Sequence, residues 1–355
     1  MLAFYRHPAS IVARVPFFAP GADSRQRRAI ISTMRRRQFL IGSLCTVALG
    51  CARQTGRGPI VIGVRTSNCQ SPFFVAEEQG LFAAHGVDAD VRLVGTNTEI
   101  IEAMQRGEIL VGSLPVTTVI AAIRRGAPIR IVAMSGRGSV GLLTRQADGP
   151  ADISALRGTR IATIRASILD VLLREQFRLA GIDPERDTEL VYMGALGDMI
   201  SALKTGQIAA TSNTEPFMTD AEREGWGRIL GYYTAIWPDH PCCVVVAHND
   251  LARRQPEALR GILRAHRTAV DWANAHLDGT AQIVVKRLGA FDADLVQASL
   301  QRPKMSLDYA LSVDEIARMA GLMASQGLIE APAEGGVDAM VDLAPLQQVL
   351  TAGSR

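Results

Sequence analysis

The chain has 355 residues, 48% hydrophobic and 21% charged, which is enough for two lobes of ordinary size and too apolar for a disordered protein. Residues 1–50 hold eight Arg and one Asp, a net of +7, so the formal +3 of the whole chain leaves −4 from residue 51 onward. A mildly acidic body without a basic run excludes nucleic acid as the expected partner. Lysine occurs only at positions 204, 286 and 304, a bias we read as base composition.

The N-terminus reads as an address. Arg35-Arg-Arg-Gln-Phe-Leu40 precedes a mostly apolar run, Phe39–Gly50, and then Cys51. A basic segment followed by a short apolar stretch is a secretory signal pattern, too short to span a bilayer. The Arg-Arg-x-Phe-Leu order resembles a twin-arginine export signal, with Met34 as a start. Ala48-Leu-Gly-Cys51 resembles a lipobox, which makes Cys51 the expected lipidation site, although Ala48 stands where Leu or Val is usual. The competing reading is a cytoplasmic chain with a chance basic–apolar run. Export permits disulfides, but a lipidated Cys51 leaves Cys69, Cys242 and Cys243, which is not an even set. A bridge from Cys69 to Cys242 or Cys243 is conceivable, and buried free thiols are the preferred state.

After a polar tether over 52–58, the pattern predicts a strand at Ile60–Val64, a turn, and a helix from Phe73 to Ala84 with Pro72 at its first position. A strand at Val91–Val94 follows, then a helix opened by Thr96 and Glu99 at capping-box spacing and running to Arg106. A strand ending at Ser113, a helix Thr117–Arg125 and a strand Ile129–Met134 complete a first lobe, assigned to 59–140. The scheme then repeats over 141–244: strand Arg160–Ile164, helix from Ser167 to Leu179, and strand Glu189–Tyr192. Helix Asp198–Thr205, strand Ile208–Ser212, helix Phe217–Glu224 and strand Arg228–Leu230 follow. Ala103-Met-Gln-Arg-Gly-Glu-Ile-Leu-Val-Gly-Ser113 is echoed ninety-nine residues later by Ala202-Leu-Lys-Thr-Gly-Gln-Ile-Ala-Ala-Thr-Ser212. In each copy a helix ends, a Gly follows at the C′ position, and a short strand begins. Crossings between the lobes are expected near 141–146 and 241–247, with Cys242–Ala247 as a buried return strand and 245–355 going back to the first lobe. Helices at Glu257–Ala275, Val313–Ser325 and Leu343–Leu350 close the chain. Alternating strands and helices give an α/β fold of two lobes, each a mainly parallel sheet flanked by helices.

Ligands of open α/β sheets sit beyond the carboxyl ends of strands, where helix N-termini offer N–H groups. The expected ligand-binding residues are therefore Arg65, Ser67, Asn68, Thr96, Asn97, Ser113, Thr117 and Ser135 in the first lobe. Arg165, Ser167, Gly194, Asn213 and Glu215 are their counterparts in the second, and Trp237 comes from the return segment. Hydroxyls, amides and two Arg in matching positions suit an oxyanion or a polar small molecule better than a metal. Each also has a plain structural role: Thr96 and Ser167 as caps, the Arg pair as surface ion-pair partners, Trp237 as a packing residue. No Gly-x-Ser-x-Gly elbow or phosphate-cradling Gly-x-x-x-x-Gly-Lys occurs, and the six histidines show no metal spacing. No catalytic residue, metal or cofactor is expected.

Pro72–Val87, Ala103–Gly112, Gly126–Ala133, Leu156–Ala162, Asp187–Gly194 and Gly206–Pro216 together resemble one family. It is that of ABC-transporter substrate-binding proteins of the nitrate, sulfonate and taurine type, which includes pyrimidine-precursor binders. The resemblance covers about residues 59–280 and implies a type II periplasmic-binding-protein fold with two hinge crossings. It implies an exported, monomeric receptor for a small-molecule solute, with an ABC permease and its ATPase as partners and the membrane reached only through a lipid anchor. Nitrate, a sulfonate or a carboxylate is the expected solute, and a neutral heterocycle stacked on Trp237 is the second choice. The alternatives are an enzyme of the same fold acting on a pyrimidine or related precursor, and a sensor that borrows the receptor lobes.

Overall fold

Two copies of one strand–helix series carry the architecture of the computed structural model, which describes residues 58–289, 291–333 and 335–352. The export signal, Met34, Cys51 and the tether up to residue 57 lie outside the described residues. The first series is β1 (Ile60–Val64), α1 (Ser71–Glu78), α2 (Leu81–Ala84), β2 (Ala89–Leu93), α3 (Asn97–Gln105), β3 (Val111–Pro115), α4 (Val116–Arg124) and β4 (Ile129–Gly138). The second, after β5 (Val140–Arg145), is β6 (Arg160–Thr163), α5 (Ile168–Leu179), β7 (Glu189–Tyr192), α6 (Leu196–Lys204), β8 (Ala210–Thr214), α7 (Phe217–Arg223) and β9 (Gly227–Tyr232). The chain then returns through β10 (Pro241–His248) to α8 (Asn249–Arg254), α9 (Pro256–Ala275), α10 (Leu277–Leu288), α11 (Ala293–Ser299), β11 (Met305–Leu307), α12 (Val313–Ser325) and α13 (Ala344–Ala352).

The first sheet has the order β11-β4-β10-β3-β1-β2 and the second β7-β6-β8-β5-β9. β1 pairs in parallel with β2 and β3, and β6 does the same with β7 and β8. In each sheet the antiparallel strand inside the parallel set is the one that has just crossed from the other lobe: β5 between β8 and β9, β10 between β3 and β4. This is the expected two-lobed α/β arrangement, mainly parallel in each sheet. β10 is buried along its whole length, as a strand covered on both faces must be, and its Val244–Ala247 run supplies the apolar surface.

The echo has a common physical cause. Gly107 and Gly206 both adopt left-handed backbone, φ 72° and 76°. The Gly107 N–H bonds the Met104 carbonyl and the Glu108 N–H the Ala103 carbonyl; Gly206 with Leu203 and Gln207 with Ala202 repeat the pair. Both helices end in the same glycine-dependent cap before a buried strand.

Three sequence expectations change. The helix expected over Phe73–Ala84 breaks at Gly80, φ 64°, into α1 and α2. The outward crossing falls at Ser139, between β4 and β5, rather than at 141–146, which β5 occupies; Gly138 and Ser139 both have positive φ, 70° and 67°. The return crossing falls at 233–240 rather than 241–247, because β10 already belongs to the first sheet. α8, α10, α11 and β11 were not anticipated. Their short apolar stretches lack a sustained period.

His266 of α9 lies wholly buried, stacked on Phe73 at 4.9 Å, with Nε2 2.9 Å from the Met134 carbonyl oxygen. Burial pushes its pKa down to about 4, against smaller upward effects from that carbonyl and from Asp308. The folded chain thus binds a proton at His266 less readily than the unfolded chain, and stability present above about pH 6.5 is lost as pH falls toward 4. We expect His266→Phe to flatten the fall in melting temperature between pH 6.5 and 4, even if it lowers the value at pH 7. A slope equal to that of the parent chain would show that His266 is not the group responsible.

Candidate functional site

The cleft between the two sheets encloses an empty volume of about 690 Å³, its mouth included. The first lobe contributes Arg65, Thr66, Ser67, Gln70, Asn97 and Pro115, residues that follow β1, open α3 or end β3. The second contributes Ile164, Ser167, Ile168, Leu169, Gly194, Leu196 and Thr214, and the strands next to the crossings add Val140 of β5 and Cys242 and Cys243 of β10. More of the wall is apolar than polar, and its polar groups are of two kinds.

The first kind is a cation. Among the described residues the Arg65 guanidinium has no hydrogen-bonding or ion-pair partner, although it is half-buried. Burial lowers its pKa from the ordinary arginine value while Glu99 and Cys243 pull it back up, and arginine stays charged across this range. The second kind is backbone. α5 and α6 present their first turns to the cleft without a side-chain cap. The Ser167 hydroxyl points back to the Ile164 carbonyl at 2.7 Å, and the Asp170 carboxylate accepts the Ala166 N–H at 2.8 Å and the Arg174 Nε–H at 3.0 Å. Ala195, which precedes α6, has no capping atom. Two positive helix ends therefore face the cavity that holds an unpaired cation.

Gln70 adds an acceptor. Its Nε2 reaches the Ser113 carbonyl and hydroxyl oxygens, each at 3.4 Å, which fixes the amide orientation because a carbonyl only accepts. Its Oε1 is left buried with no partner. The Asn97 Oδ1 is likewise buried and unpaired at the cleft edge.

Of the residues expected at the site, Arg65, Ser67, Asn97, Ser167 and Gly194 line the cleft. Ser113 stands behind Gln70, and Ser135 donates to the Cys69 carbonyl at 2.6 Å. Asn68 donates to Ser299 at 2.7 Å, and Thr96 caps α3 by accepting the Glu99 N–H at 3.1 Å. Thr117 is buried in α4 with its hydroxyl unpartnered. Asn213 accepts the Thr214 N–H at 2.9 Å. Glu215 is buried beneath the crossing, accepting from the Tyr232 hydroxyl and the Thr219 N–H, and burial raises its pKa against those bonds. Arg165 does not act as the twin of Arg65: its guanidinium lies 3.7 Å from the Tyr192 ring centroid. Trp237 is outside the cleft, in a separate depression with Leu172, Ile236 and Leu322, and Arg318 covers its ring at 4.0 Å. It offers the cleft no stacking platform. Sequence reasoning missed Gln70 and the apolar wall of Ile164, Ile168, Leu169 and Leu196. Only their place in the segments that follow strands marked them.

The three thiols expected to be free are free and buried, and they meet at the cleft floor. Hydrogen-bond donors, Cys242 and Cys243 first and Ser139 and Ser67 after them, hold the Cys69 thiol well below its usual pKa against the opposing effect of burial.

The NMT1-like family matches residues 55–289. The chain belongs to that family. A candidate binding protein of Brucella abortus is 24% identical over 266 residues, spanning 74% of this chain and 82% of its own. Among solved structures, the periplasmic nitrate-binding protein NrtA of Synechocystis PCC 6803 superposes with a TM-score of 0.74 at 16% identity, covering 83% of this chain and 90% of that one. The periplasmic aliphatic sulphonate binding protein SsuA of Escherichia coli gives 0.68 at 18% identity, over 80% and 91%. At that identity they establish a shared periplasmic-binding fold.

Proposed function

We propose that this NMT1-like protein is the solute-binding component of an ABC importer and that its solute is a small organic anion. The observation that carries the reading is Arg65, a half-buried cation without a hydrogen-bonding or ion-pair partner among the described residues, in a cleft that two uncapped helix N-termini also face. An oxyanion head satisfies all three. The apolar wall favours a carbon-bearing body over bare nitrate, and Gln70 Oε1 calls for an N–H or O–H donor on the ligand. Solute bridging both lobes would favour the closed state through its greater affinity for it. The nitrate and sulphonate binders with this fold support a receptor rather than an enzyme. The Arg35–Cys51 pattern supports export and a lipid anchor at Cys51.

The test is thermal shift against alkanesulfonates and alkyl carboxylates of increasing length, beside nitrate and bicarbonate. At a hundred times its dissociation constant a ligand stabilises by about 2.7 kcal/mol. In a chain of this size that is roughly 4 °C. We expect one organic series to respond with an optimum length. An equal response to nitrate removes the organic refinement, and silence from every anion removes the reading.

A further inference from the structure

Cys69, Cys242 and Cys243 bring three buried sulfur atoms within 4.8 Å of one another. Sulfurs bound to one zinc-like ion at about 2.3 Å stand about 4 Å apart. Cys242 Sγ and Cys243 Sγ are 4.0 Å apart without any ion. We propose that these three cysteines form a site for one soft, thiophilic cation of the zinc, cadmium or copper(I) class, open to the cleft on its fourth side.

Buried cysteines ordinarily serve as small apolar residues, and that role does not bring them together. Here the chain assembles them from segments 173 residues apart and surrounds them with hydrogen-bonding groups. Ser139 Oγ lies 3.7 Å from both Cys69 Sγ and Cys242 Sγ, and Gln70 Nε2 lies 3.7 Å from Cys243 Sγ. Such a second shell orients ligands in established metal sites. The backbone is set as well: Ser135 Oγ holds the Cys69 carbonyl at 2.6 Å. Gly136 leaves the room Cys69 needs, because a Cβ there would stand 2.8 Å from its sulfur. Cys242 and Cys243 line the cleft while Cys69 lies behind them, so three protein ligands and one accessible position are available. On binding, three sulfur–metal bonds form, the thiol protons pass to solvent, and no electrons move. A divalent ion on three thiolates carries one net negative charge, which Arg65 in the same cleft opposes.

Ser139 makes the site more than a trap. It is the single residue between β4 and β5, and its hydroxyl, 2.9 Å from Thr214 Oγ1, is shared between the thiols and the second lobe. A cation there tightens one wall of the crossing.

The proposal does not depend on the solute, and its test uses none. The full chain carrying Cys45→Ser and Cys51→Ser retains only the three cluster thiols of the five in the sequence. Reduced, freed of reductant and kept anaerobic, it is titrated with cadmium while sulfur-to-cadmium charge-transfer absorption and proton release are followed. We expect one cadmium per chain. Cys69→Ser, Cys242→Ser and Cys243→Ser should each weaken binding by about 100-fold or more, the upper range for disturbed ligand shells. The cadmium-113 chemical shift of the chain with its three thiols intact counts sulfur ligands without any cluster variant, should a serine variant fail to fold. Three sulfurs support the site. No charge-transfer band, oxygen and nitrogen ligands only, or affinity unchanged by all three substitutions overturns it.

Discussion

Arg65→Gln is expected to weaken binding of the responding organic anion by about 100-fold, or about 3 kcal/mol, within the range for removing one partner of a desolvated charge pair. The free chain should melt almost unchanged. Both halves follow from one fact: among the described residues the Arg65 guanidinium has no hydrogen-bonding or ion-pair partner, so its removal orphans no acceptor. The neighbouring Glu99 is exposed and keeps its solvation. Arg65→Lys keeps the charge but loses the planar fork, and should recover part of the affinity for a head bound by one oxygen. Arg165→Gln is the internal control, since it occupies the matching position but rests on Tyr192. Calorimetric titration of the four chains decides the matter. Equal losses at 65 and 165 would mean that the cleft is not centred on Arg65.

The fold was legible because the chain states it twice. Each copy repeats a helix ending, a glycine and a strand, and those glycines are required by left-handed backbone at 107 and 206. Helix α12 lies where a helix was expected near Val313–Ser325, and the structure shows what fixes its start: Ser312 and Glu315 form a reciprocal cap there. The return crossing was misplaced for an equally physical reason. Six apolar residues, Cys242–Ala247, mark a buried strand, but hydrophobicity cannot say which sheet buries it. That is decided by pairing with β3 and β4, contacts more than a hundred residues away.

Site residues were legible as corners and not as contacts. The rule that strand ends face ligands brought Arg65, Ser67, Asn97, Ser167 and Gly194 to the cleft. It also selected Asn213 and Ser135, which spend their hydrogen bonds on the Thr214 N–H and the Cys69 carbonyl. Ser167 shows the limit best. Its spacing to Asp170 suggests a helix cap, yet the hydroxyl turns to Ile164 and leaves the helix end open. Sequence places a hydroxyl at a helix start; only the surrounding backbone decides whether it caps that helix.

Arg137→Met should lower the stability of the free chain by about 3 kcal/mol, which is roughly 4–5 °C in melting temperature. Arg137 is the last residue but one of β4, just before the Ser139 crossing, and is 8% exposed. It donates to Asp308 at 2.6 Å, to Glu315, to the Asp239 carbonyl at 2.9 Å and to the Ala310 carbonyl at 2.7 Å. Burial works to lower its pKa, and the two carboxylates outweigh it, so the group is held charged. Methionine fills much of the same space but takes a donor from all four acceptors, leaving the Ala310 N–H at Asp308 and the Ser312 N–H and hydroxyl at Glu315 in place. Because the side chains of Asp308 and Glu315 are 31% and 25% exposed, water recovers some of the loss, and we take the lower end of the range for a broken buried pair. Replacing both carboxylates by leucine in the same chain should restore part of the stability, since orphaned charge rather than lost attraction is the main cost. Arg137 also grips the return crossing through Asp239, so the substitution loosens both connections between the lobes. Anion affinity should nevertheless fall less than about tenfold, because no Arg137 atom lines the cleft. Differential scanning calorimetry and the same titration separate the two effects. A chain that melts normally and binds a hundredfold more weakly would move Arg137 from the scaffold to the site.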